Sequence, residues 1–144
     1  MDDSTIEKLK KRGIRLTPQR LAICDLIFDN ENHPSAEDIY QSIKERFPTI
    51  SLATVYKTFT LLKNENLVSE IPVGTFSRFD PKKNVHINII CPICNTISDL
   101  ESSSVRDFYN VIEHELGGGI IDQQFNVFKK CSNCYSKTIN EDNN

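Results

Sequence analysis

The chain has 144 residues, 38% of them hydrophobic, and a formal net charge of −3. That length suits one ordinary domain or two small ones. No run of eighteen apolar residues occurs, so no membrane span is expected. The acidic start Met1-Asp2-Asp3-Ser4 lacks the apolar stretch of a secretory signal, and the expected location is the cytoplasm. The charge is uneven. Residues 1–83 carry 13 Lys+Arg against 12 Asp+Glu, and residues 84–144 carry 4 against 8. Within 8–20, Lys8, Lys10, Lys11, Arg12, Arg15 and Arg20 stand with no acid among them. Most such runs are solvated helix faces; beside a DNA-reading fold they serve phosphates.

The first half has helical signals. Thr17 suits an N-cap and Pro18 the first helical position, followed by Leu21, Cys24 and Phe28 at helical spacing. Ser35-Ala36-Glu37-Asp38 starts a second helix carrying Ile39, Ile43 and Phe47, which Pro48 ends. Ser51 caps a third, with Leu52, Val55, Phe59 and Leu62 on one face and Thr54, Tyr56, Lys57, Thr58 and Lys63 on the other. The period then changes. Residues 67–72 and 76–80 read as strands around the turn Val73-Gly74-Thr75. Three helices and a hairpin outline a winged helix, whose third helix enters the DNA major groove.

Pro81-Lys82-Lys83-Asn84 has linker composition. Residues 85–90 alternate, with His86, Asn88 and Ile90 on one face and Ile87 and Ile89 on the other. Strands are expected at 96–100 and 120–128, with a helix marked by Val105, Phe108, Ile112 and Leu116 and stopped by Gly117-Gly118-Gly119. The expected fold is therefore α+β. A winged-helix DNA-binding domain (1–80) is joined by a hinge (81–85) to a small α/β dimerisation and metal-binding domain (86–138) and a polar tail (139–144).

Four of the five cysteines form two Cys-x-x-Cys pairs, Cys91/Cys94 and Cys131/Cys134, separated by residues 95–130. Two intervening residues let a tight turn aim both sulfurs at one ion, and four thiolates make a closed structural zinc site. Such a site stabilises and does not catalyse. A redox dithiol is the rival, and neither pair is expected to open a helix in the thioredoxin manner. Cys24 fits a buried small hydrophobe. A single loop histidine or strand aspartate is more often solvated than ligating, and His114, between Glu113 and Glu115, keeps that ordinary reading. His33, Asp80, His86, Asn88 and Asp99 gain from their arrangement, because they would close a pocket between the two halves. Imidazole and carboxylate together suit Fe(II), Mn(II), Co(II) or Zn(II).

Several segments carry a resemblance: Arg15-Leu16-Thr17-Pro18-Gln19-Arg20, His33-Pro34-Ser35-Ala36-Glu37-Asp38-Ile39-Tyr40, Ala53-Thr54-Val55-Tyr56, Arg78-Phe79-Asp80, the His86 strand and both cysteine pairs. The chain resembles, along nearly its whole length, the ferric uptake regulator superfamily of bacterial metal-dependent repressors. An aspartate at position 99, where glutamate is the alternative, makes it most similar to the peroxide-responsive branch.

The resemblance implies one structural Zn(II) per subunit on the four cysteines, and one regulatory Fe(II) or Mn(II) on three histidines and two aspartates. His33, Asp80, His86 and Asp99 match four of those ligands. Asn88 stands where the third histidine would be, and an amide oxygen favours harder ions. The implied activity is that of a dimeric repressor, not an enzyme, bound to an inverted-repeat operator. Peroxide would oxidise His33 or His86, and the metal and then the DNA would leave. The alternative is a regulator of the same superfamily answering iron, manganese or zinc supply. DNA contacts fall to Arg15, Arg20, Thr54, Tyr56, Lys57 and Arg78. A facial-triad oxygenase is the competing enzyme reading, disfavoured because the extra ligands would fill its open positions.

Overall fold

The computed structural model describes the backbone of residues 3–30, 32–81 and 84–141, with side chains at all of these but 3–5, 8 and 137–141. Met1 and Asp2 of the start, Lys82 and Lys83 of the expected linker, 142–144 of the expected tail and the Lys8 side chain of the basic run lie outside the described residues. The chain divides into two compact units, Met1–Pro72 with Phe76–Lys82, and Val73–Thr75 with Lys83–Asn144.

Four helices precede the hairpin: α1 Asp3–Lys11, α2 Pro18–Phe28, α3 Ala36–Ile43 and α4 Leu52–Asn64. The extra one, α1, spans part of the basic run. The expected caps hold. Thr17 accepts from the Arg20 N–H with Pro18 at the helix start, and Ser51 accepts from the Thr54 N–H. Ser35 and Asp38 form a reciprocal capping box, in which each side chain accepts from the other's backbone N–H. Leu9, Ile23, Ile27, Ile39, Ile43, Val55, Phe59, Leu62 and Phe79 share one buried core, within which Phe59 stacks on Phe79 at 3.8 Å. Thr58, expected on the outward face of α4, is buried, and its hydroxyl donates to the Thr54 carbonyl one turn back. The hairpin strands are β1 Val68–Val73 and β2 Phe76–Pro81. Gly74 turns the chain at φ 61, a conformation glycine adopts without strain.

The second unit holds a three-stranded sheet ordered β4-β3-β5, with β3 Ile87–Ile90, β4 Ile97–Leu100 and β5 Phe125–Phe128. β3 is central, antiparallel to β4 and parallel to β5. The parallel pairing requires a crossover, which α5 Ser103–Glu115 supplies. Gly117, Gly118 and Gly119, at φ 74, 79 and 77, stop that helix. β5 is shorter than expected, because 120–124 form no strand and Ile121 is exposed. A helix not foreseen, α6 Ser132–Glu141, follows the second cysteine pair and runs into the segment expected to be a polar tail. Among the described residues, no helix is long and apolar enough to cross a membrane.

Candidate metal centres

The first cysteine pair sits in the turn between β3 and β4. The Asn95 N–H donates to the Cys91 carbonyl, the Cys91 N–H to the Thr96 carbonyl, and Asn95 takes φ 60 to close the loop. The second pair starts at the end of the β5 connection and leads into α6, so it does open a helix. The dithiol rival gains nothing from this, because the sulfurs of Cys91, Cys94, Cys131 and Cys134 all lie within 4.8 Å of one another. Cys94 and Cys131 are 3.7 Å apart at sulfur, close to the edge of a tetrahedron with ~2.3 Å zinc–sulfur bonds.

The Cys131 N–H donates to the Cys91 sulfur at 3.3 Å. That bond, with help from the Cys94 N–H, pulls the Cys91 thiol down to about 6. The Thr96 hydroxyl, 3.2 Å from its sulfur, lowers Cys94. Cys134, hydrogen-bonded to Cys131 and partly desolvated, is pushed up to about 12. Four sulfurs this close carry charge together only around a cation, and the donor set fits Zn(II).

In the first unit, His33 and Asp80 come together. His33 is 2% exposed and Asp80 is 7% exposed. His33 Nε2 and Asp80 Oδ1 are 3.7 Å apart, too far for a hydrogen bond but inside the ~4.2 Å that two ligands of one ion at ~2.1 Å can span. The local sequence builds this pair. His33 takes φ 49, an uncommon backbone for a residue with a Cβ. The Phe79 N–H donates to the Pro34 carbonyl at 3.0 Å, tying the His33 loop to β2 beside Asp80. Arg78 adds a second tie through Asp38 at 2.8 Å and the His33 carbonyl at 3.5 Å. Burial pushes the Asp38 carboxyl up, but the Ser35 N–H and hydroxyl and the Arg78 guanidinium outweigh it and hold the group below its ordinary value. Sequence reasoning missed this latch; the Ser-x-x-Asp box was its only visible part.

In the second unit, His86 precedes β3 and its Nδ1 lies 2.8 Å from the Asn84 carbonyl. Asn88 pairs in register with Asp99 of β4 on one side and with Asn126 of β5 on the other. Direct partners share a sheet face, so the three polar side chains form one row. Asn88 is 1% exposed, and its Oδ1 is buried with no hydrogen-bond partner among the described residues. A buried, unsatisfied acceptor is costly unless something positive meets it. The four-cysteine cluster and the His33–Asp80 pair thus offer donors fit for metal ions.

Of the residues expected at DNA, Tyr56 is 44% exposed on α4, and its hydroxyl donates to Glu37 at 2.7 Å. Lys57 and Arg15 are exposed, Thr54 is half-buried, and Arg20 Nη1 donates to the Arg15 carbonyl at 2.9 Å.

Residues 11–128 match the ferric uptake regulator family. The peroxide-responsive repressor of Staphylococcus saprophyticus is 31% identical over 136 residues, which is 94% of this chain and 92% of that protein. The Campylobacter jejuni peroxide stress regulator superposes with a TM-score of 0.71 at 30% identity, covering 93% of this chain and 100% of that one. The ferric uptake regulator of Francisella tularensis, solved with iron, has a TM-score of 0.66 at 25% identity, covering 85% and 96%. Regulators of this kind are dimeric, metal-binding and DNA-binding. The chain therefore belongs to the ferric uptake regulator family, as a metal-responsive transcriptional regulator with peroxide-responsive relatives.

Proposed function

We propose that this protein is a homodimeric repressor that releases its operator when peroxide oxidises a metal-ligating histidine. The carrying observation is the buried His33–Asp80 pair, 3.7 Å apart at its nearest atoms and set on a strained backbone. In this reading the regulatory ion is held by His33, Asp80, His86, Asn88 and Asp99, and Zn(II) by Cys91, Cys94, Cys131 and Cys134. Residues 1–80 read DNA, 81–85 hinge, and 86–138 dimerise. The dimer is supported by the apolar surface of the second unit, where Phe108, Val111 and Val127 are about half exposed.

An ion shared by both halves would favour one arrangement of them over the others, and DNA binds the favoured one. Tyr56, Thr54 and Lys57 face the groove from α4, while Arg15, Arg20 and Arg78 meet phosphates and set position without reading sequence. Fe(II) held by these residues would activate the peroxide O–O bond, and the two electrons that reduce it come in net from the imidazole that is oxidised. One oxygen atom joins the imidazole of His33 or His86 and the other leaves as water. The oxidised ring is a poor ligand, so both metal and operator dissociate. The protein is consumed by this step and does not turn over.

The amide at 88 favours a second reading, a response to manganese supply, because a carbonyl oxygen suits Mn(II). Peptide mass mapping separates the two. Fe(II)-loaded protein exposed to hydrogen peroxide should gain one oxygen on the His33 or His86 peptide as operator binding is lost. Unmodified peptides with binding lost only on chelation would leave the manganese reading.

A further inference from the structure

The row across the second unit's sheet has a feature that the proposed ligand set does not use. Asn88 Nδ2 donates to Asn126 Oδ1 at 3.2 Å. An amide side chain has one accepting oxygen and one donating nitrogen on opposite sides of its terminal carbon. Turning the nitrogen toward Asn126 turns the Asn88 oxygen away from it, and that oxygen is buried and otherwise unsatisfied. Asp99 is the direct partner on the opposite strand, so Asn88 stands between a carboxylate and the amide that holds it.

We propose that Asn126 is a positioning residue for the regulatory metal: it fixes the Asn88 amide so that only oxygen faces the ion, and so biases this site toward Mn(II) and Fe(II) over Zn(II). The proposal rests on the reading that Asn88 is a ligand. A carbonyl oxygen is a hard donor, whereas the imidazole usual at this place suits Zn(II) and other borderline ions. The amide nitrogen has no lone pair to give a cation. An Asn88 free to flip would therefore lose its ligating orientation part of the time, and the Mn(II) complex, which depends most on oxygen, would suffer most. Partners that orient a ligand commonly change metal affinity by about 10–100-fold.

The test uses full-length protein with zinc retained on its cysteines and the regulatory site stripped. Mn(II) affinity is read from the free-ion electron paramagnetic resonance signal, and Zn(II) affinity from competition with a chelating dye. Asn126→Leu should lower the Mn(II):Zn(II) affinity ratio about tenfold. Asn126→Ala should do the same, and serves if the leucine variant misfolds. Asn126→Asp, which can only accept, should keep the ratio within about twofold even if its added charge tightens both ions. An unchanged ratio in Asn126→Leu and Asn126→Ala would overturn the proposal. If Asn88→His shifts the ratio toward Zn(II) and the Asn126 variants do not, Asn126 has no positioning role although Asn88 ligates. If His33→Ala leaves Mn(II) affinity unchanged, the underlying site reading itself has failed.

Discussion

The two units close themselves by different means. Around Ile23, Ile39, Val55, Phe59 and Phe79 the helical unit has a continuous hydrocarbon core. Among the side chains described in 84–136, the buried apolar ones are Ile90, Cys91 and Val105, while Phe108, Val111, Leu116, Ile121, Val127, Phe128 and Tyr135 are exposed. A unit with so few buried side chains lacks enough apolar burial to offset its chain entropy unaided. Metal and a second copy are the two devices that replace a core in such a case. Hydrocarbon packing thus holds the helical unit; in the function proposed above, thiolate-bound metal and self-association hold the sheet unit.

The strongest way to break this comparison is to remove the zinc. Structural zinc sites contribute about 10–16 kcal/mol in apparent terms. Cys91→Ser, or prolonged treatment with a strong chelator, should abolish the β3–β5 sheet and the dimer. The helices of the first unit should remain folded, as read by residue-resolved hydrogen exchange. The next largest effect belongs to the helical core. Phe59→Ala should cost about 3–5 kcal/mol in denaturant unfolding through the lost stack on Phe79, leaving the cysteine cluster's metal content unchanged. Phe108→Ser sharpens the contrast from the other side. The ring is 50% exposed in one subunit and meets Phe125 edge-on at 5.5 Å, so its loss should cost the subunit's own unfolding only about 1 kcal/mol. It should weaken the dimer by about 2 kcal/mol, roughly thirtyfold in dissociation constant, by sedimentation equilibrium.

The smallest effect concerns the latch over the His33 loop. Asp38→Ala should cost ~1 kcal/mol by removing the capping box and the Arg78 contact. Because the folded Asp38 carboxyl lies below its ordinary value, its contribution is complete above the unfolded value of ~3.9 and is lost as pH falls through the lower, folded one. Wild-type and Asp38→Ala stabilities should therefore converge in strong acid, and a gap that persists there would contradict the assignment.

What was legible in the sequence was local. Thr17, Ser35 and Ser51 announce their helices because the caps bond within three residues, and the cysteine spacing announces zinc because each pair needs only one turn. The Ser4-x-x-Glu7 start of helix α1 went unread because the basic run beside it holds few apolar residues to mark a helical period. Helix α6 follows a cysteine pair that was read as a turn alone. The outward placement of Thr58 failed because a threonine hydroxyl can satisfy itself on its own helix backbone and so tolerates burial. The partners of His33 and Asn88 lay beyond reach for another reason. Arg78 is 45 residues from His33 and Asn126 is 38 from Asn88, and only tertiary pairing brings either contact about.

The central claim is that a removable divalent ion on His33 and His86 governs the grip on DNA. Its most direct test is operator affinity of the His33→Ala/His86→Ala protein, zinc retained, measured without oxygen in Mn(II) and again in chelator. We expect the wild type to lose at least about tenfold in affinity on chelation, the scale of ordinary coupling between sites, and the double variant to bind weakly in both conditions. Equal, tight binding by the variant in both conditions would contradict the account.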